Sequence, residues 1–143
     1  MHPEEMVRRG LAKRFEASRD EIEELLRLAE RDLLLAGDIR NQSLDWAEIV
    51  AYNSMLQSGR ALMLHRGHRP SGESHHLAVI SFLESELGVQ CHELVLSMMN
   101  LRKKRNISLY SRAGSVSEAE VERAMLSAAA LKEFVKHIVL RTG

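Results

Sequence analysis

The stretch Ser18-Arg19-Asp20-Glu21-Ile22-Glu23-Glu24-Leu25-Leu26-Arg27-Leu28-Ala29-Glu30-Arg31-Asp32-Leu33 decides the fold class. Its first four residues form a Ser-x-x-Glu capping box, in which serine and glutamate each satisfy a backbone N–H that the first helical turn leaves open. Behind the box Ile22, Leu25, Leu26, Ala29, Leu33 and Ala36 fall at helical spacing, with Glu23, Glu24, Arg27, Glu30 and Arg31 largely on the other face. This predicts an amphipathic helix that ends between Asp38 and Gln42.

The same grammar repeats outward. Ser43 can cap a second helix with Asp45 and Glu48 early in it, where carboxylates favour the positive end of the helix dipole. That helix is predicted to run to Arg66 and stop at Gly67. Its interior is rich in small residues, and Gly59 costs about 1 kcal/mol against alanine there, so a close helix contact is expected to offset it. Gly67-His68-Arg69-Pro70-Ser71-Gly72-Glu73 reads as the one long loop. A short helix from Ser74 or His75 follows, with Val79, Ile80, Leu83 and Leu87 as its stripe and Gly88 as its stop. A fourth helix, Gln90 to about Tyr110, turns polar as it proceeds. After Ala113-Gly114-Ser115 a second capping box, Ser117-Glu118-Ala119-Glu120, opens a last helix that buries Val121, Ala124, Met125, Ala128, Leu131, Val135 and Ile138. Glu4 to Ala17 forms a further short helix in this reading, on a thin stripe of Met6, Val7, Leu11 and Phe15. The expected fold class is all-α: an antiparallel bundle of four to five helices in a single domain over 1–143, with its core at about 19–139.

Composition bounds the function. The chain has 143 residues, 20 basic against 20 acidic, and one cysteine, which fits one domain with no internal disulfide, in a reducing cytoplasm. The start Met1-His2-Pro3-Glu4-Glu5 lacks the plan of a signal peptide, and no apolar run approaches the roughly 18 residues of a membrane span. A soluble cytoplasmic protein with no membrane partner is expected. Zero net charge removes the usual footprint of a nucleic-acid binder, so any positive charge that matters must be local. No glycine-rich phosphate loop, Ser-His-Asp set or CxxC supports a kinase, NTPase, hydrolase or oxidoreductase.

The local charge is Arg102-Lys103-Lys104-Arg105, inside Leu101-Arg102-Lys103-Lys104-Arg105-Asn106-Ile107-Ser108-Leu109-Tyr110. Four consecutive residues on a helix sweep about 300°, so at least one cation turns toward the bundle or a partner. Arg105, in phase with Leu94, Met98 and Leu101, is the one expected to do so and to meet a carboxylate or phosphate. The alternative is a solvated basic patch with one internally paired arginine. Tyr52, Asn53 and Arg60 are expected to be structural: a core tyrosine, an amide linking helices, and an arginine paired with a carboxylate such as Asp45 or Glu48. His65, His68, His75 and His76 surround one loop and are potential metal ligands. Cys91 lies elsewhere in the sequence, and Glu73-x-x-His76 has no second copy to complete a di-iron site, so the expectation is no metal and no cofactor.

Ala51-Tyr52-Asn53-Ser54-Met55-Leu56-Gln57-Ser58-Gly59-Arg60-Ala61-Leu62, the loop Gly67-His68-Arg69-Pro70 and Leu101-Arg102-Lys103-Lys104-Arg105-Asn106, in that order, resemble HEPN domains over roughly Arg19 to Val139. The resemblance implies a helical bundle that pairs into a homodimer, with the basic helix of each subunit facing a shared cleft. In the ribonuclease branch the signature is Arg-polar-x-x-x-His. Arg105 takes the arginine position and Asn106 the polar one, while Tyr110 stands where the histidine would be. A phenol with a pKa near 10 is a poor base at pH 7, but it can donate a proton or hold a phosphate oxygen. The leading expectation is therefore a module that binds RNA or nucleotide phosphate through Arg102, Lys103, Arg105 and Asn106. The resemblance also implies a toxin-like role beside a minimal nucleotidyltransferase partner, which would place Tyr110 as a nucleotidyl acceptor. The alternatives are a metal-independent endoribonuclease using Arg105 with Tyr110, and a non-catalytic structural dimer.

Overall fold

A computed structural model describes residues 1–88, 92–110 and 116–142, with the side chains of residues 92, 104–110 and 142 outside the description. The chain is all-α apart from one small ladder: α1 (Pro3–Arg8), β1 (Ala12–Arg14), α2 (Arg19–Ile39), α3 (Leu44–His65), β2 (His68–Pro70), α4 (His75–Leu87), α5 (His92–Tyr110) and α6 (Glu118–Thr142). The expected caps form. Ser18 Oγ accepts from the Glu21 N–H at 3.1 Å while the Ser18 N–H donates back to Glu21. Ser43 Oγ accepts from Trp46 N–H, and Ser117 and Glu120 close the second box. α3 and α4 stop before Gly67 and Gly88, both at positive φ.

α3 is the centre of the molecule. It buries Tyr52, Met55, Leu56, Leu62 and Met63 at 1% exposure or less, and α2, α4, α5 and α6 all pack against it. α2 returns antiparallel to α3 through residues 40–43, and Ser54 Oγ donates to the Ala29 carbonyl at 2.7 Å. α6 is antiparallel to α2, as the pairs Lys132–Glu30 and Arg40–Glu122 fix their register. Burial alone would lower the Lys132 ammonium, but the hydrogen bond and charge of Glu30 hold it above its ordinary value.

α4 runs in the same direction as α3. Tyr52 meets His76, Gly59 meets Val79 and Leu83, and Arg66 pairs with Glu86, so both helices advance together. This arrangement differs from neighbours joined by a tight turn, and its reason is the length of the connection. Residues 66–74 reach about 30 Å when extended, enough to run back along the roughly 21 Å that α3 covers from Tyr52 to Arg66.

The N-terminal segment departs from the expected single helix. α1 ends before Gly10, at φ +75°, and β1 then pairs antiparallel with β2 inside the predicted loop, Ala12 opposite Pro70 and Arg14 opposite His68. Ser71 N–H donates to the Leu11 carbonyl and Phe15 N–H to the Gly67 carbonyl, while Arg69 stacks on the Phe15 ring at 5.3 Å. Such pairing is non-local, so helical periodicity over Glu4–Ala17 could not reveal it. Met6, fully buried, anchors the arm to the core.

At Gly59 α3 and α4 approach closely. A Cβ there would overlap Val79 Cγ1 and come within 3.1 Å of Leu83 Cδ1. Gly59→Ala is therefore expected to lose about 1–3 kcal/mol to overpacking, more than the ~1 kcal/mol of helix propensity it gains. The urea midpoint of the variant should fall, and Gly59→Val should fall further.

Candidate functional site

α5 follows α4 after a short connection and so returns toward the end of the bundle where α3 and α6 begin. Val95, Met98 and Leu101 pin it to the core, which leaves its polar second half over those two helix starts. Of the predicted basic run, Arg102 is half-buried and Lys103 exposed. Arg105, Asn106 and Tyr110 belong to α5, and their side chains lie outside the described residues, as does that of Lys104.

Between α5 and α6 runs an open groove of about 1080 Å³. Leu94, Leu101 and Leu131 line it along its length, and Lys103, Arg123, Glu48 and Glu120 line its polar part. The starts of α3 and α6 are held together there by Ala47, Val116 and Val121. Glu120 is engaged in its capping box with Ser117, and Glu48 is 5% exposed. Lys103 and Arg123, both exposed, are thus cations from two different helices on one groove. Nothing within α6 marks Arg123 in the sequence; only the packing of α5 and α6 on α3 puts it on the same groove as the basic run.

Tyr52 is a core residue, as expected, with its hydroxyl 3.5 Å from His76 Nδ1 and the two rings edge to face. The expected pairing of Arg60 with Asp45 or Glu48 does not occur. All three lie on α3, and 12 to 15 residues of helix separate them by about 18–22 Å. Arg60 Nη1 instead donates to Gln57 Oε1 at 3.1 Å, and burial pulls its guanidinium below the ordinary value, an effect the Tyr52 hydroxyl offsets in part. The loop histidines disperse. His76 faces Tyr52, His68 Nδ1–H donates to the Arg66 carbonyl beside Phe82, and His65 lines a separate cleft of about 330 Å³ with Phe15 and Arg19 at the opposite end of the bundle. Among the described residues no three metal-ligating side chains gather.

Burial lowers the His65 imidazole below its ordinary 6.5, and the nearby Arg66 and Arg19 lower it further against the opposing pull of Glu86. Between the depressed value and 6.5 the unfolded chain binds more protons at this site than the folded one. This contribution to stability is therefore intact above about pH 6.5 and declines as pH falls through that window. An NMR titration should give His65 a midpoint under 6.5, and a midpoint above it would contradict this environment.

Among the described residues no helix is long and apolar enough to cross a membrane. No curated protein matches the chain. The family model described as the HEPN domain matches residues 18–138, from the first capping serine almost to the end of α6. With its capped α2, small-residue α3 and half-polar α5 in the order that resemblance requires, the chain belongs to the HEPN domain family.

Proposed function

We propose that this HEPN domain binds RNA or nucleotide phosphate at the basic end of α5 and acts as a homodimer with that end in a shared cleft. The observation that supports the reading is that Lys103 and Arg123, exposed cations from α5 and α6, line one groove, next to a run that continues into Lys104 and Arg105. Phosphate binding needs such convergent cations, because each contact releases condensed counterions and so contributes most at low salt. Arg102, Lys103, Arg105 and Asn106 are assigned to the phosphate. Arg105 would stabilise its charge and the Tyr110 phenol would donate to an oxygen, in a chain that has tyrosine where the ribonuclease branch has histidine. Family membership also supports a nucleotidyltransferase as partner protein, with Tyr110 as the acceptor it would modify.

Labelled single-stranded RNA titrated at rising salt tests this. Affinity should fall linearly on a log–log plot, and Lys103→Ala or Arg123→Ala should lower both affinity and the salt slope, by about one unit of slope per lost contact. RNA left intact supports a binding module. Cleavage that disappears in Arg105→Ala would establish the ribonuclease instead, and the absence of binding to RNA or nucleotides at low salt would refute both.

A further inference from the structure

The groove between α5 and α6 is longer than a phosphate needs, and its chemistry changes from one end to the other. The two helices each pack on α3 and run in opposite directions, so the first groove residue of one stands level with the last of the other. Lys103 and Arg123 share one end. Glu93, the first lining residue of α5, and Phe134, the last of α6, share the other. About 15–17 Å of helix separates the two ends. Leu96 and Leu126, 49% and 62% exposed, lie between them, and Phe134 is itself 46% exposed. Large apolar side chains left in water along one groove mark a surface that a ligand covers. The carboxylates of the groove are not equivalent. Glu120 is held in its capping box and Glu48 is buried, whereas Glu93 is exposed and carries no hydrogen bond or ion pair among the described residues.

From this order of cation, apolar wall and carboxylate we infer that the groove reads a nucleobase as well as a phosphate, with Phe134 as the surface on which the base stacks and Glu93 as the acceptor that selects guanine. The inference rests on the phosphate reading above and adds a base subsite to it. A nucleotide has the polarity of the groove: an anionic phosphate at one end and, at the other, a flat ring with a polar edge. Reached from one end by lysine or arginine and from the other by glutamate, it fits the span. The ring of Phe134 stacks with any base, since every base has a π-face. Glu93 discriminates. An ionised carboxylate only accepts hydrogen bonds, so it pairs best with an edge that presents two neighbouring N–H donors. Guanine has that edge in N1–H and the N2 amino group. Cytosine and adenine set a ring-nitrogen acceptor beside the amino group, and uracil flanks N3–H with two carbonyls, so each brings an acceptor against a carboxylate oxygen. The ligand is thus a guanine nucleotide, free or within single-stranded RNA, because pairing in a duplex occupies the same edge.

The test is a calorimetric titration at low salt with the four ribonucleoside monophosphates, guanosine, ribose 5-phosphate, and uridine hexamers with and without one guanosine. GMP should bind about tenfold tighter than AMP, CMP or UMP, the discrimination of one bidentate pair, and Glu93→Gln should abolish that preference. Phe134→Ala should weaken every nucleotide about tenfold and leave ribose 5-phosphate unchanged, with Phe134→Trp restoring affinity. Both positions are exposed, so the helical signal should stay that of the wild type. A guanosine-containing hexamer that outbinds GMP identifies RNA as the source of the base, and the reverse order identifies the free nucleotide. Equal affinity for the four bases, a guanine preference that survives Glu93→Gln, or an equal loss of GMP and ribose 5-phosphate in Phe134→Ala would overturn the base subsite. The two readings fail separately. Ribose 5-phosphate bound through Lys103 and Arg123 without any base preference keeps the phosphate site and removes the base subsite. Guanosine bound as tightly as GMP, and lost in Glu93→Gln, keeps the base subsite and removes the phosphate site.

Discussion

Everything in this fold is arranged around the burial of α3. A 22-residue helix that places Tyr52, Met55, Leu56, Leu62 and Met63 out of water needs cover on most of its circumference, and each fully buried side chain of this size contributes about 1.5–3 kcal/mol. Two neighbours connected by tight turns cannot provide that cover. The chain solves this by sending α4 along α3 in the same direction, which requires the long return through residues 66–74, and by leaving Gly59 without a side chain where the two helices touch.

The return segment creates a second requirement, because an extended strand has backbone donors and acceptors that no helix satisfies. The N-terminal arm answers it through the β1–β2 ladder, the bond from Ser71 to the Gly10 carbonyl and the stacking of Arg69 on Phe15. Residues 1–17 precede the part of the chain that the family model covers, yet Met6 is as deeply buried as any residue of α3. The arm therefore packs into the same core as α3. At the other end, the direction of α5 follows from that of α4, and it carries the basic run to the starts of α3 and α6, where Lys103 and Arg123 share a groove.

Legibility in the sequence tracked the range of each interaction. Ser18, Ser43 and Ser117 were readable because a cap bonds within three residues. The stripe on α6 from Val121 to Val135 was readable because its period is the helix's own. Arg60 departs from the expectation because Asp45 and Glu48, on the same helix, lie about three to four turns away. The basic residues Arg102 and Lys103 stand out as a run of like charge, whereas Arg123 is one arginine among many until α5 and α6 are both packed on α3.

By itself, then, the sequence determined the helical class, the capped starts and stops, the order of elements and the family, because all of these are encoded in patterns a few residues long. Only the tertiary structure decided that α4 parallels α3, that Ala12–Arg14 is a strand, that the loop histidines part company, and that Leu126, Ala130 and Phe134 remain uncovered. These depend on which surfaces meet across tens of residues. That choice is made by total burial and by satisfaction of backbone hydrogen bonds over the whole chain, and no local window contains it.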